Sequence, residues 1–123
     1  LVGFDMNGKT VGIIGTGKIG AIVAKILHGF GCNLLCYDLY PNQSLTTQFG
    51  AEFTDLLTLC AKSDIITLHT PLLPETKYII NSERIAQMKR GVMLINTSRG
   101  GLVNTADAIE GLKSGHIGYL GID

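Results

Sequence analysis

The sequence predicts an α/β fold, a doubly wound parallel sheet with helices on both faces. Three observations support this prediction. Apolar runs of strand length alternate with helical periodicity along the whole chain. A glycine-rich turn, Gly15-Thr16-Gly17-Lys18-Ile19-Gly20, separates the first strand from the first helix, and the second strand ends in Asp38. Six strands would complete the order 3-2-1-4-5-6.

The first half of the chain contains three predicted strands, over 10–14, 34–37 and 51–53. A helix follows the glycine turn, since apolar residues recur at helical spacing at Ile19, Ile22, Val23, Ile26, Leu27 and Phe30. A weak helix is predicted over 44–49 and another over 56–61, the latter capped by Asp55 or Thr54.

The second half repeats the alternation. Strands are predicted over 65–68, 92–96 and 117–122. The first is followed by a loop over 69–76, in which two prolines exclude regular structure. One helix should run from Asn81 or Ser82 to near Gly91, and another from Asn104 or Thr105 to Gly115.

The glycine turn and Asp38 together predict a dinucleotide site. Gly15 permits the sharp turn, Gly17 permits close approach of a pyrophosphate, and Gly20 permits tight packing of the helix on the sheet. Asp38 would accept hydrogen bonds from an adenosine ribose and repel a 2′-phosphate, so the prediction is NAD rather than NADP. The predicted cofactor-binding residues here are Gly15, Thr16, Gly17, Lys18, Ile19, Gly20 and Asp38.

Composition limits the other classes of function. The chain has 123 residues, the size of one domain, and 46% are hydrophobic, which argues against disorder. Ten acidic residues balance ten basic ones, which argues against a nucleic-acid surface. We find no membrane-length apolar run and no signal-peptide pattern.

The three cysteines are expected to be buried free thiols, so a cytoplasmic protein is predicted. The chain begins and ends close to its cofactor unit, which suggests a piece of a longer protein.

Chemistry is expected where strands end at the carboxyl edge of the sheet. Arg99, flanked by Ser98 and Gly100, offers a planar charged fork that suits a carboxylate, although a surface salt bridge is the alternative. His69 is a candidate acid–base group, but a loop histidine hydrogen-bonded to backbone is the favoured interpretation. Because no His, Cys, Asp and Glu cluster has metal-ligand spacing, no metal is predicted.

Several long stretches resemble the NAD-dependent D-2-hydroxyacid dehydrogenases, most closely their fermentative D-lactate branch. They are 9–20, 36–41, 66–72, 87–93, 96–103, 108–113 and 118–123. The resemblance implies a two-domain enzyme that reduces a 2-keto acid with NADH. It implies that Arg99 binds the substrate, that Thr97 and Asp123 line the nicotinamide side, and that Thr70, Pro71 and Thr76 pack along the cofactor.

The resemblance also implies features outside this sequence. The acid–base histidine and its glutamate partner would lie beyond Asp123, and the substrate domain would be built from flanking segments. The isolated chain is therefore expected to bind NADH and turn over little or no pyruvate. A homodimer formed through this domain is also implied.

Alternatives remain open. Reduction of pyruvate to D-lactate is the leading function, and another family activity, on glyoxylate, hydroxypyruvate or phosphoglycerate, is the nearest alternative. A second class is a non-catalytic NAD sensor like the C-terminal-binding-protein corepressors. A third is a stand-alone nucleotide-binding module.

Overall fold

The structure, a computed structural model, describes residues 5–122, so Asp123 lies outside the described part. The six strands are β1 (Thr10–Ile14), β2 (Asn33–Tyr37), β3 (Glu52–Phe53), β4 (Ile65–Leu68), β5 (Val92–Asn96) and β6 (Ile117–Ile122). The α-helices are α1 (Lys18–Gly29), α2 (Gln43–Phe49), α3 (Leu56–Lys62), α4 (Ser82–Ala86) and α5 (Thr105–Ser114). None of these helices is long and apolar enough to cross a membrane.

The strands form one sheet in the order β3-β2-β1-β4-β5-β6, which confirms the predicted Rossmann fold. Every pairing is parallel. β1 pairs with β2 on one side and β4 on the other, so strand order reverses between β1 and β4. Ile14, Tyr37, Leu68 and Asn96 are aligned across the sheet, and the loops that follow β1, β2, β4 and β5 therefore meet at one edge.

Two apolar clusters cover the two faces of the sheet. One packs β1, β4 and β5 against α3, α4 and α5, with Ile66, Leu94 and Leu59 fully buried. The other packs β1 and β2 against α1 and α2, with Ile13 and Ala24 at its centre. Helices therefore lie on both faces of the sheet, α1 and α2 on one and α3, α4 and α5 on the other.

Apart from shifts of one residue at the ends of elements, the structure differs from the sequence prediction at two places. α4 ends at Ala86 rather than near Gly91. A 3-10 turn over Gly100–Leu102 was not predicted. In α1 the small residues Gly20 and Ala24 are buried, whereas the apolar stripe is largely exposed: Ile19, Ile22, Ile26 and Phe30 are 51–66% accessible. The close fit of α1 to the sheet explains why small residues occupy its buried side, since a Cβ on Gly20 would collide with the carbonyl oxygen of Gly15.

Candidate active site

The turn after β1 is held by neighbouring backbone. Gly15 has a φ of +99°, which favours glycine, and its amide donates to the carbonyl of Tyr37 at 2.8 Å. A Cβ on Gly15 would lie 2.6 Å from the carbonyl carbon of His69 and from the amide nitrogen of Thr70. The backbone of the loop after β4 therefore packs directly against the glycine turn. Because no side chain fits between them, glycine is required at position 15.

The first turn of α1 faces open space. Gly17 occupies the N-cap, where no side chain accepts a hydrogen bond from the helix amides. Among the described residues, nothing lies within 4 Å of the point that a Cβ on Gly17 would occupy. Free amides at a helix N-terminus, beside an uncrowded glycine, fit the pyrophosphate of a dinucleotide. Thr16 is buried in this turn, whereas Lys18 and Ile19 are exposed at the start of the helix.

Asp38 connects the end of β2 to the glycine turn. Its Oδ2 accepts hydrogen bonds from the Thr16 amide at 2.6 Å and the Thr16 hydroxyl at 2.9 Å, and its Oδ1 accepts from the Tyr40 amide at 3.0 Å. Burial by itself would raise the pKa of Asp38, but these hydrogen bonds outweigh it and lower the pKa. The half-buried carboxyl is therefore ionised at neutral pH and fixed at the edge of the turn.

A cavity of about 360 Å³ lies at this edge of the sheet. It brings together the first half of the glycine turn (residues 15–17), Asp38 and the loop after β4, including Thr70, Pro71 and Thr76. The other predicted residues of the turn, Lys18, Ile19 and Gly20, do not line it. The Thr76 hydroxyl is used within that loop, where it donates to the Pro71 carbonyl at 2.7 Å and accepts from the Leu73 amide at 2.8 Å. The contribution of Thr76 to the cavity is therefore to fix the shape of its wall.

Sequence reasoning did not identify the apolar walls of this cavity. They comprise Tyr37, Leu39, Leu73 and Ile79. Leu39 follows Asp38 directly and Leu73 lies between the two loop prolines, so adjacency to predicted site residues was the available signal. Apolar walls around a few polar groups are typical of cofactor pockets.

His69 lies in the cavity wall, but its hydrogen-bond partner differs from the prediction. Its Nε2 is 2.8 Å from the hydroxyl of Thr67, a side-chain partner rather than backbone. Burial lowers the pKa of His69, so the ring is neutral at physiological pH. The sequence pattern could not reveal this pair, because it does not specify the side-chain rotamers that decide whether two residues so close in the chain touch.

Arg99 lies on the loop after β5. Its side chain is exposed and forms no ion pair within residues 5–122, where the two salt bridges are Lys89–Asp64 and Lys113–Glu110. The alternative of a surface salt bridge therefore has no partner in the described part of the chain. Thr97 is also exposed on this loop, and the predicted contribution of Asp123 falls outside the described residues.

Another cleft lies apart from these residues, and none of the three cysteines lines the cavity. The cleft, of about 390 Å³, is lined by residues including Lys9, Lys89 and Arg90 and contains none of the predicted site residues. All three cysteines are buried and free, as predicted. Burial raises the pKa of Cys36 and of Cys60 to about 11, so both remain protonated thiols.

Comparison with known proteins agrees with this geometry. The profile of the family described as "D-isomer specific 2-hydroxyacid dehydrogenase, NAD binding domain" matches residues 1–123. The D-lactate dehydrogenase of Escherichia coli K12 is 51% identical over 123 residues, which cover 100% of this chain and 37% of that protein. The chain thus spans little more than a third of the length of this relative.

Solved structures of D-lactate dehydrogenases are similar to this one. The apo D-lactate dehydrogenase of Escherichia coli superposes with a TM-score of 0.95 at 51% identity, over 98% of this chain and 38% of that chain. The D-lactate dehydrogenase of Aquifex aeolicus, complexed with NAD and lactic acid, gives a TM-score of 0.94 at 42% identity, over 98% and 36%. With the glycine turn, Asp38 and the strand order, these matches show that the chain belongs to the D-isomer-specific 2-hydroxyacid dehydrogenase family, as its NAD-binding domain.

Proposed function

We propose that residues 1–123 are the cofactor domain of a cytoplasmic enzyme that reduces pyruvate to D-lactate, its substrate domain lying outside this sequence. One observation carries the proposal: a fixed carboxylate and a glycine turn share a sheet edge with an exposed arginine that has no ion-pair partner among residues 5–122. The D-lactate dehydrogenases similar to this chain support the choice of substrate. The buried free thiols support a reducing compartment.

The cofactor would be held by the glycine turn and Asp38. The amides at the start of α1 would donate to the pyrophosphate, and the Asp38 carboxylate would accept from the adenosine ribose. Thr70, Pro71 and Thr76 would form the opposite wall, with Thr97 and Asp123 on the nicotinamide side. When bound, NADH supplies the hydride.

Arg99 would bind the substrate. Its guanidinium can donate two parallel hydrogen bonds to the carboxylate of a 2-keto acid and thereby orient the keto carbon. Without a bound substrate the group has no partner in the described residues, so nothing there competes for it. The acid–base histidine and glutamate would be supplied from beyond Asp123. The 123-residue chain alone is therefore proposed to bind NADH without measurable turnover of pyruvate.

The test is a fluorescence titration of the chain with NADH and NADPH, compared with the Asp38→Ala variant. NADH should bind at least about ten-fold more tightly than NADPH, because the carboxylate repels a 2′-phosphate. Asp38→Ala should weaken NADH binding and remove this preference, whereas Arg99→Ala should leave the NADH Kd within about two-fold. Equal affinity for both cofactors in the unsubstituted chain, or steady-state oxidation of NADH by it, would contradict the proposal.

We also propose that this domain forms a homodimer. The support is the apolar stripe of α1, which includes Ile22 and Ile26, both more than half exposed. Light scattering should give twice the chain mass for the unsubstituted protein and the monomer mass for Ile22→Glu/Ile26→Glu. A monomer in both cases would exclude the proposed dimer.

A further inference from the structure

The loops that carry Thr70 and Arg99 form a single hydrogen-bonded unit. The amide of Tyr78 donates to the Gly101 carbonyl at 2.9 Å, and the amide of Ile80 donates to the Leu102 carbonyl at 3.1 Å. Ile80 also forms a parallel bridge with Val103. The loop after β4 and the loop after β5 are therefore held in fixed register along their outer parts.

Asn96 fixes the inner part of the second loop. It is the last residue of β5, is 2% exposed, and pairs with Leu68 of β4 and Ile122 of β6. Its Nδ2 donates to the Arg99 carbonyl at 2.8 Å, and its Oδ1 accepts from the Ser98 amide at 3.1 Å. The buried side chain of Asn96 therefore holds two adjacent loop residues, Ser98 and Arg99, against the end of β5.

Both hydrogen bonds of Asn96 end on the loop rather than on the apolar core. A buried amide is costly unless its donor and acceptor are paired, and here both are paired within the arginine loop. An apolar residue would serve packing alone equally well at the end of a buried strand. The amide is therefore explained by the backbone conformation that it imposes on Ser98 and Arg99.

Ser98 extends this arrangement to the cofactor cavity. Its hydroxyl donates to the Thr70 carbonyl at 3.0 Å, and Thr70 belongs to the cavity wall. The backbone of Arg99 is thus connected by hydrogen bonds to β5 through Asn96, and the adjacent Ser98 connects it to the wall of the cofactor cavity. Misplacement of about 1 Å at a reacting group can cost about 100-fold in rate, so such a connection has catalytic value.

We propose that Asn96 and Ser98 are positioning residues, which set the backbone of Arg99 relative to the cofactor wall and thereby aim its guanidinium at the substrate carboxylate. This inference rests on the proposed binding of a 2-keto acid by Arg99. In this proposal both residues act through Arg99 rather than by touching substrate or cofactor. Their loss should impair use of the keto acid and leave binding of NADH intact.

The experiment is steady-state kinetics with pyruvate in the enzyme that joins this chain to its substrate domain, together with the Kd of NADH. Asn96→Ala should raise the KM for pyruvate about ten-fold or more, and Ser98→Ala about three-fold, with the Kd of NADH within about two-fold. Ser98→Thr retains the hydroxyl and should restore the unsubstituted KM. Because Ser98 is exposed, its two variants keep the test decisive if Asn96→Ala fails to fold.

A double-substitution cycle separates positioning from simple loss of stability. In an Arg99→Ala background, Asn96→Ala or Ser98→Ala should change kcat/KM by less than about two-fold, since their effect passes through Arg99. Fully additive losses, or single variants with unchanged KM, would overturn the inference while leaving the role of Arg99 intact. An unchanged KM in Arg99→Ala would overturn the proposed function as well.

Discussion

Helix α1 begins differently from the other α-helices of the described chain. The N-cap residues of α2, α3, α4 and α5 are Asn42, Asp55, Asn81 and Asn104, and in each the side chain accepts a hydrogen bond from a backbone amide of the first turn. The N-cap of α1 is Gly17, which has no side chain to do so. This exception lies at the candidate cofactor cavity, which Gly17 lines.

The difference teaches how one physical requirement is met in two ways. The first amides of every helix need acceptors, and an Asn or Asp cap supplies one at a gain of about 1 kcal/mol. At α1 a capping side chain would occupy the space that an anionic ligand needs. The start of α1, whose amides are proposed to bind a pyrophosphate, therefore lacks the stabilisation that a capping side chain gives the other helices.

The largest expected effect is a difference in the free energy of unfolding between alanine substitutions at two glycines of the same turn, Gly15 and Gly17. Gly15→Ala should lower the free energy of unfolding by about 3 kcal/mol, because the new Cβ would meet the backbone of His69 and Thr70 at a positive φ. Gly17→Ala should change it by less than about 0.5 kcal/mol, since φ is −69° and the space is open. Urea denaturation measures both. Equal losses would mean that Gly17 is also a structural glycine.

The second prediction gives α1 the kind of cap that the other helices have. Gly17→Asp should retain or raise the stability of the chain, because a carboxylate can accept from the first-turn amides. It should weaken NADH binding about 100-fold or more, since the same carboxylate would repel the pyrophosphate. Thermal unfolding and NADH titration report the two effects. Undiminished NADH binding by the folded variant would show that the amides of α1 are not the pyrophosphate site.

The smallest expected effect comes from the opposite substitution, the removal of a capping side chain at the start of α5. Asn104→Ala should lower the free energy of unfolding by about 1 kcal/mol, because the Asp107 amide loses its acceptor at 3.1 Å. The NADH Kd should remain within about two-fold, since α5 does not line the cavity. Denaturation and titration on the same preparation check both numbers. A large loss of NADH affinity in Asn104→Ala would contradict the view that the start of α1 binds the ligand whereas the start of α5 serves stability alone.

Local patterns in the sequence were sufficient to predict the six strands and five α-helices in their order along the chain, but not the 3-10 turn over Gly100–Leu102. The apolar run over 10–14, the glycine turn and the Asn and Asp caps each act through residues close in the chain, so their consequences can be read locally. The prediction for the end of α4 was wrong because the apolar spacing continues to Met88, which is buried without being helical.

The chain by itself determined the parallel sheet, the turn before α1 and the acid at the end of β2. Only the tertiary structure decided that Asp38 bonds to Thr16, that His69 pairs with Thr67, and that Asn96 and Ser98 join the Arg99 loop to the cofactor wall. It also decided that the apolar stripe of α1 is exposed, since periodicity identifies an apolar face but not what covers it. The physical reason is that the Asp38–Thr16 and Ser98–Thr70 contacts join segments distant in sequence, which meet only after the strand order has brought the carboxyl ends of β1, β2, β4 and β5 together. The His69–Thr67 and Asn96–Arg99 hydrogen bonds join residues close in sequence, but they depend on side-chain rotamers that the surrounding packing decides.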